Sequence, residues 1–354
     1  MNVKKVAFYS IVISIFYLGS PCKAQNNSAS SKTDVEYELL YDEPYDLNKM
    51  WVHFIPLYAD FFSTNFNAGF GLQANYYLKN KFDFRLLYRM PYSQGTDNFK
   101  HIGEKEKTNT AHLSGFKLFE IGGTYHIKDE SSPGTSRMVV YTKRYSDEKW
   151  AATVPDIILI PSKVRKIIGA RLGGYFWSST TNIGSISEKQ NVPLIALTNT
   201  SDTLDVSNLT GKKYYGSLSS AGVYLGGSLA TIRNVAIKPK KYDGQANDVM
   251  FTLYADILYA PMVKVNNIST LVVNNSTNTK TTFDASKISV QHLGFRAGFE
   301  GMTNKEFGWS YGGEVGYRPS ISGRGFYVTA KIAFTFATRF DQKRQAVQIT
   351  KPSE

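Results

Sequence analysis

The side chains able to do chemistry are few and scattered. The chain holds five histidines, His53, His101, His112, His126 and His292. None belongs to an H-E-x-x-H string and no two stand at i, i+2, so no metal-ligand set is legible. His101 and His112 share one polar stretch with Asp97 and Glu104. Imidazole beside carboxylate is a pairing that can activate water for hydrolysis, and this stretch is the one foothold for an enzyme. Gly69-Phe70-Gly71-Leu72-Gln73-Ala74 spells a dinucleotide-binding string. That chemistry needs its glycines at a turn opening a helix, whereas these fall inside an alternating run. Ser228, in Gly226-Gly227-Ser228-Leu229-Ala230, lacks the closing glycine and the strand-turn-helix setting of a nucleophile elbow. The expectation is therefore no catalytic, cofactor-binding or metal-binding residue, and no cofactor.

The formal net charge of +12 raises nucleic acid as a partner. The densest basic cluster, Lys238-Pro239-Lys240-Lys241, falls in a turn between two alternating runs. Such lysines are solvated or lie near lipid headgroups, and no nucleic-acid partner is expected.

A second set of charges is placed more tellingly: Asp83, Arg85, Arg89, Glu120, Arg171, Asp256, Arg296, Glu300, Glu314, Arg318 and Lys331. Each stands on the polar parity of a run with period two. In Asn65–Leu78, Phe66, Ala68, Phe70, Leu72, Ala74, Tyr76 and Leu78 face one way; Asn67, Gly69, Gly71, Gln73, Asn75 and Tyr77 face the other. After Lys79-Asn80-Lys81, Phe82, Phe84, Leu86, Tyr88, Met90 and Tyr92 alternate with Asp83, Arg85, Leu87 and Arg89. Period two over more than ten residues means long β-strands, here a hairpin. The same alternation marks Met50–Phe61 (with Trp51, Ile55, Leu57, Ala59 and Phe61 on one side), Phe116–Ile127, Ile167–Trp177, Ala221–Thr231, Val249–Tyr259, 292–300, 309–318 and Phe326–Phe340.

Strands this long, apolar on one face only, suit an antiparallel up-and-down transmembrane β-barrel, where each crossing needs about 9–11 residues. The count is about ten strands. It becomes about twelve if Met138–Tyr145 and Ala151–Ile160 are strands of their own. The mean hydropathy of −0.27 agrees, because a barrel hides its apolar face in alternation. Tyrosine and phenylalanine supply most of the 14% aromatic content, as interfacial girdles would. The breaks after Tyr92, Trp177 and Tyr259 are long and polar, while those after Leu78 and Glu300 are short; long loops should lie outside the cell and short turns inside. In a barrel of this size the charges fill the lumen in pairs, such as Asp83 with Arg85 and Arg296 with Glu314, because isolated buried charges are costly. Glycines on the same parity leave room for a narrow gap. The other arrangement is hydrated charge in a wide pore.

The series Phe326, Val328, Ala330, Ile332, Phe334, Phe336, Thr338, Phe340 resembles the terminal strand of Gram-negative outer-membrane β-barrels, although a polar tail follows it here. The loop with Asp97, His101 and His112 is faintly similar to the outer mouth of outer-membrane proteases, which are also ten-stranded barrels. The first resemblance implies a protein of the cell outer membrane with membrane lipid as partner. The expected organisation is a signal peptide over 1–24, a flexible acidic arm over 25–49, the barrel over 50–340 and a polar tail over 341–354. The signal reading rests on Lys4 and Lys5, the apolar run Val6–Leu18 and the small-x-small site Cys22-Lys23-Ala24; cleavage there removes the only cysteine. The expected function is a narrow channel or a structural barrel. A partner-binding or assembly module, engaged through the arm or the outer loops, is the alternative, and an outer-membrane hydrolase is the third reading.

Overall fold

The computed structural model describes residues 36–44, 49–78, 81–106, 112–142, 145–146, 149–150, 154–197, 203–204, 214–240, 244–274 and 277–339. The signal segment and the tail from 341 lie outside them. In chain order the main elements are β1 (Tyr37–Asp42), β2 (Lys49–Phe62), β3 (Asn65–Leu78), β4 (Phe82–Pro91), α1 (Asn98–Lys105), β5 (Lys117–Thr142) and β6 (Val154–Asn182). Then come α2 (Ile183–Gln190), β7 (Leu194–Ala196), β8 (Tyr215–Pro239), β9 (Gln245–Val265), β10 (Ile268–Asn274), β11 (Thr277–Asp284), β12 (Leu293–Thr303), β13 (Phe307–Tyr317) and β14 (Phe326–Arg339).

Ten of these strands close into one antiparallel barrel in the order β2, β3, β4, β5, β6, β8, β9, β12, β13, β14. The closing ladder joins β14 to β2, from Tyr327 opposite Phe62 to Arg339 opposite Lys49. The count is ten and not twelve. The stretches at 138–145 and 151–160 are not separate crossings but the far ends of β5 and β6, whose single ladder runs on to Thr142 opposite Val154. Beyond Arg165, where β6 leaves β8, this hairpin runs on past the barrel wall from Ser132 to Thr142, roughly 35 Å at about 3.3 Å per residue. Its lower part follows different burial rules from the wall, which is why its alternation reads poorly. Met138 and Ile160 pack on Val235 and Ile237 of β8.

The apolar parity faces outward around the ring. Leu172, Leu225, Leu253, Ile257, Phe295, Val315 and Ile332 are all exposed, Ile257 to 66%. A continuous apolar surface of this kind is stable against hydrocarbon and costly against water. Three bulges adjust the parity. One sits at Ile55–Tyr58 of β2, opposite both neighbouring strands. A second falls at Ile127 of β5, and a third faces Ala221–Val223 at Ala260–Pro261 of β9. One extra residue flips the following side chains. Hence Trp51 and Ile55, grouped by alternation with Leu57 and Phe61, instead point inward and are fully buried, while Leu57 and Phe61 face out.

β1 departs from a flexible arm. It pairs antiparallel with β8, Tyr37 opposite Pro239 and Asp42 opposite Val235. The Tyr41 hydroxyl donates to both Asp248 carboxylate oxygens at 2.9 and 3.0 Å. Burial, reinforced by that carboxylate, pushes the Tyr41 phenol well above its usual range. The Asp42 carboxylate accepts from the Lys163 backbone N–H of β6 at 2.9 and 3.0 Å. β1 thus occupies the place where β6, having left β8 beyond Arg165–Ile232, would otherwise expose an unpaired edge.

Candidate functional site: the lumen

Alternation sends one residue in two into the lumen, and strand order decides which of them meet. Arg296 on β12 donates from both Nη atoms to the Glu120 carboxylate on β5 at 2.7 and 3.0 Å, and from Nε to Asp256 on β9 at 2.7 Å. Glu314 lies 3.6 Å from Arg296. Arg171 donates to the other Asp256 oxygen at 3.0 Å. A second group centres on Glu300, which accepts from Lys331 at 2.9 Å and Gln73 at 2.8 Å and sits 3.7 Å from Arg85. Arg85 on β4 and Glu300 on β12 are five strands apart in the ring, so this pair crosses the full diameter. Nearer the loop end, Arg318 makes a two-pronged bond to Asp60 at 3.1 and 2.6 Å. Arg89 donates to Thr329 at 3.3 Å and lies over the Tyr58 ring.

Asp83 and Arg85, two residues apart, do not pair. Asp83 lies 3.2 Å from His126, and Arg85 turns across the barrel to Glu300. The inward glycines also act differently from the expectation of a gap. Tyr224 and Tyr254 lie in the space the glycines leave: a Cβ on Gly122 would fall 2.0 Å from the Tyr224 hydroxyl, and one on Gly298 would fall 2.5 Å from that of Tyr254. Their rings stack against cations, Arg296 at 4.4 Å from the Tyr224 centroid and Arg171 at 4.2 Å from that of Tyr254. A cation on an aromatic face gains about 2 kcal/mol or more where water is absent. Tyr254 and Tyr327 donate to Glu314. Asp60, Gln73 and the tyrosines complete the site. Asp60 stands on the parity opposite Leu57 and Phe61, so the alternation was enough to place it in the lumen, and the expected set of charges omitted it; Gln73 and the tyrosines carry no charge that would single them out.

This ionic layer lies between two apolar ones. Toward the short turns, Trp51, Tyr77, Ile167, Ile232, Met250 and Met302 form one cluster, with Trp51 and Tyr77 edge to face at 5.3 Å. Toward the long loops, Phe116, Leu218, Ile183, Ile186, Ile268 and Phe283 belong to a larger cluster that joins α2 and the β10–β11 hairpin to the barrel rim. Between the ionic layer and the turn-end cluster remains a cavity of about 50 Å³, lined by Arg85, Arg171, Glu300, Tyr254 and Met302 among others. That is room for a water or two.

The loop carrying the hydrolytic foothold is built otherwise. Asp97 is fully buried and caps α1. Its carboxylate accepts from Asn65 Nδ2 at 2.5 Å and from the Phe116 N–H at 2.7 Å. Glu104 lies 3.7 Å from Lys100, one turn away. Both oxygens of Asp97 are engaged in holding the loop, so this carboxylate is not available to orient His101 or His112. Among the described residues no group of three His, Cys, Asp or Glu is placed to hold a metal ion.

A closed barrel, apolar outside and ionic inside, has the architecture of a membrane-spanning β-barrel. No protein-family model matches the chain, and no curated protein matches it. Among solved structures it is similar to the toluene transporter TbuX of Ralstonia pickettii, at 8% identity over 83% of this chain and 90% of that one, with a TM-score of 0.25. The monoaromatic hydrocarbon channel CymD follows at 6% identity, 84% and 90% coverage and a TM-score of 0.25. OmpT of Vibrio cholerae follows at 10% identity, 85% and 100% coverage and a TM-score of 0.19. At these scores the barrel assignment rests on the chain's own strand pairing.

Proposed function

We propose that this chain is a non-enzymatic barrel of the cell outer membrane whose lumen is sealed, a structural or tightly gated barrel rather than an open pore. Its long loops face outward and its short turns inward. The observation that carries this reading is the ionic layer that bridges opposite walls, Arg296 to Glu120 and Arg85 to Glu300, with an apolar cluster on either side. A ten-strand barrel lies near the size that side chains fill, well short of the roughly sixteen strands of a water-filled porin. Single-channel recording in a planar bilayer tests it. The wild type is expected to show little or no conductance, and the double variant Arg296→Ala, Glu314→Ala a clear rise. A large, stable wild-type conductance would overturn the sealed-lumen reading.

One observation favours a partner-binding role as a second reading. The β5–β6 hairpin beyond the barrel exposes Leu159 to 67% and Ile157 to 51%, away from the lipid-facing belt. A photo-crosslinking residue at position 159 should capture one discrete protein in intact cells. Recovery of the uncrosslinked chain alone would remove this reading.

A further inference from the structure

The barrel wall has a notch where β4 and β5 part. Their ladder stops at Arg89 opposite Leu118. Yet β4 continues on β3 to Pro91 opposite Gly69, and β5 continues on β6 to Lys117 opposite Ser178. Proline has no N–H to give to a ladder and suits such an edge. The segment before β5 is drawn inward instead of pairing with β4. The Ser114 N–H donates to Ser217 Oγ at 2.8 Å, Thr180 donates to the Ser114 carbonyl at 2.9 Å, and the Phe116 N–H donates to buried Asp97 at 2.7 Å. Side-chain bonds therefore fix the notch open in the folded state.

The opening holds a cavity of about 600 Å³, within the range of small-molecule sites. It runs from lipid-facing side chains, Tyr92 (54% exposed) and Phe176 (38% exposed), to the fully buried Phe116 and Leu218. Its polar lining carries Lys100, Lys117 and His112 together with serine hydroxyls and Asn266. Among the described residues the carboxylates at its edge are Glu104, 3.7 Å from Lys100, and the Asp97 side chain already bonded to the Phe116 and Asn65 N–H groups, so the described lining is net cationic. The Lys100 ammonium lies close over Gly115, where a Cβ would meet it at 3.4 Å and the Asp97 carboxylate at 3.6 Å. An apolar slot open to the lipid belt, with cations and hydroxyls at its loop end, matches an apolar chain bearing one anionic head.

We infer that this notch binds an anionic amphiphile, its phosphate or carboxylate at Lys100 and Lys117 and its hydrocarbon chain against Phe116, Leu218 and Phe176. The site lies in the wall and goes beyond the sealed-lumen reading, so either can fail without the other. The full-length mature barrel in non-ionic detergent is titrated with dodecyl phosphate and followed by native mass spectrometry. One saturable molecule per barrel is expected. Dodecanol, which lacks the charge, and inorganic phosphate, which lacks the chain, should each bind at least about tenfold more weakly. The double variant Lys100→Gln, Lys117→Gln should lose about tenfold in affinity while keeping heat-modifiable migration. If that variant does not fold, Lys117→Glu alone replaces it. Displacement of dodecyl phosphate by phosphatidylglycerol assigns the site to a membrane lipid; failure to displace assigns it to a free single-chain amphiphile. Dodecanol or phosphate binding as tightly as dodecyl phosphate, unchanged affinity in the lysine variant, or non-saturable uptake would overturn the proposal.

Discussion

Arg296→Met is expected to destabilise the barrel by about 3–5 kcal/mol, the cost of breaking a buried ionic cluster from one side. Three carboxylates, Glu120, Asp256 and Glu314, lie within 3.6 Å or less of this one guanidinium. Without it, Asp256 keeps Arg171 and Glu314 keeps its two tyrosines, but Glu120 loses its two-pronged partner. Methionine fills much of the arginine stem, so the loss measures charge and not volume. Adding Glu120→Gln should recover part of it, because the buried carboxylate left without its partner is then neutral. Urea unfolding in detergent micelles, read by heat-modifiable migration, gives both values. A loss below about 1 kcal/mol for Arg296→Met would mean that water already reaches the cluster, as in a wide pore.

Leu253→Arg should cost about 2–4 kcal/mol of membrane insertion, the range for a cation on the lipid face near the midplane. Leu253 is 47% exposed on the outer surface, in the middle of the run Val249–Tyr259. Thr252, its neighbour, lines the small lumenal cavity beside Glu300. An arginine there meets a carboxylate instead of hydrocarbon, so Thr252→Arg should assemble much better. The comparison is made by quantifying folded protein in the outer-membrane fraction. Equal losses would mean that position 253 does not face lipid.

Both expectations follow from parity, which was legible in the residues. Phe82, Phe84 and Leu86 against Asp83, Arg85 and Leu87 already separates lipid face from lumen, because a one-sided environment repeats every two residues. Three things were not legible. The bulge at Ile55–Tyr58 adds a residue without breaking the apolar run, so Trp51 and Ile55 read as lipid-facing when they point inward, Trp51 into the turn-end cluster and Ile55 into the larger one. The far arms of β5 and β6 lie outside the belt, where the two faces are no longer lipid and lumen, and their alternation blurs. Partner choice inside the lumen depends on which strands face each other across the ring. Arg85 has Asp83 as a near neighbour in sequence and reaches Glu300 five strands away. Gly122, Gly173 and Gly298 gave the right face and the wrong purpose, since the rings of Tyr224 on β8 and Tyr254 on β9 occupy their space.

The seam between β2 and β14 sets an order on folding. Every other barrel ladder joins strands that follow one another around the sheet as they do along the chain. This one joins the first crossing to the last, Lys49 to Arg339. Until the final strand arrives, both β2 and the growing end present long rows of unpaired N–H and C=O groups, the surfaces on which strands of other molecules add. Contacts so distant in sequence also form slowly. A chain lacking its last strand would lose Lys331, Tyr327 and Thr329 from the lumen and would also keep two open edges. The barrel therefore cannot close until residue 339 has been delivered, and until then its open edges must be kept apart from those of its copies.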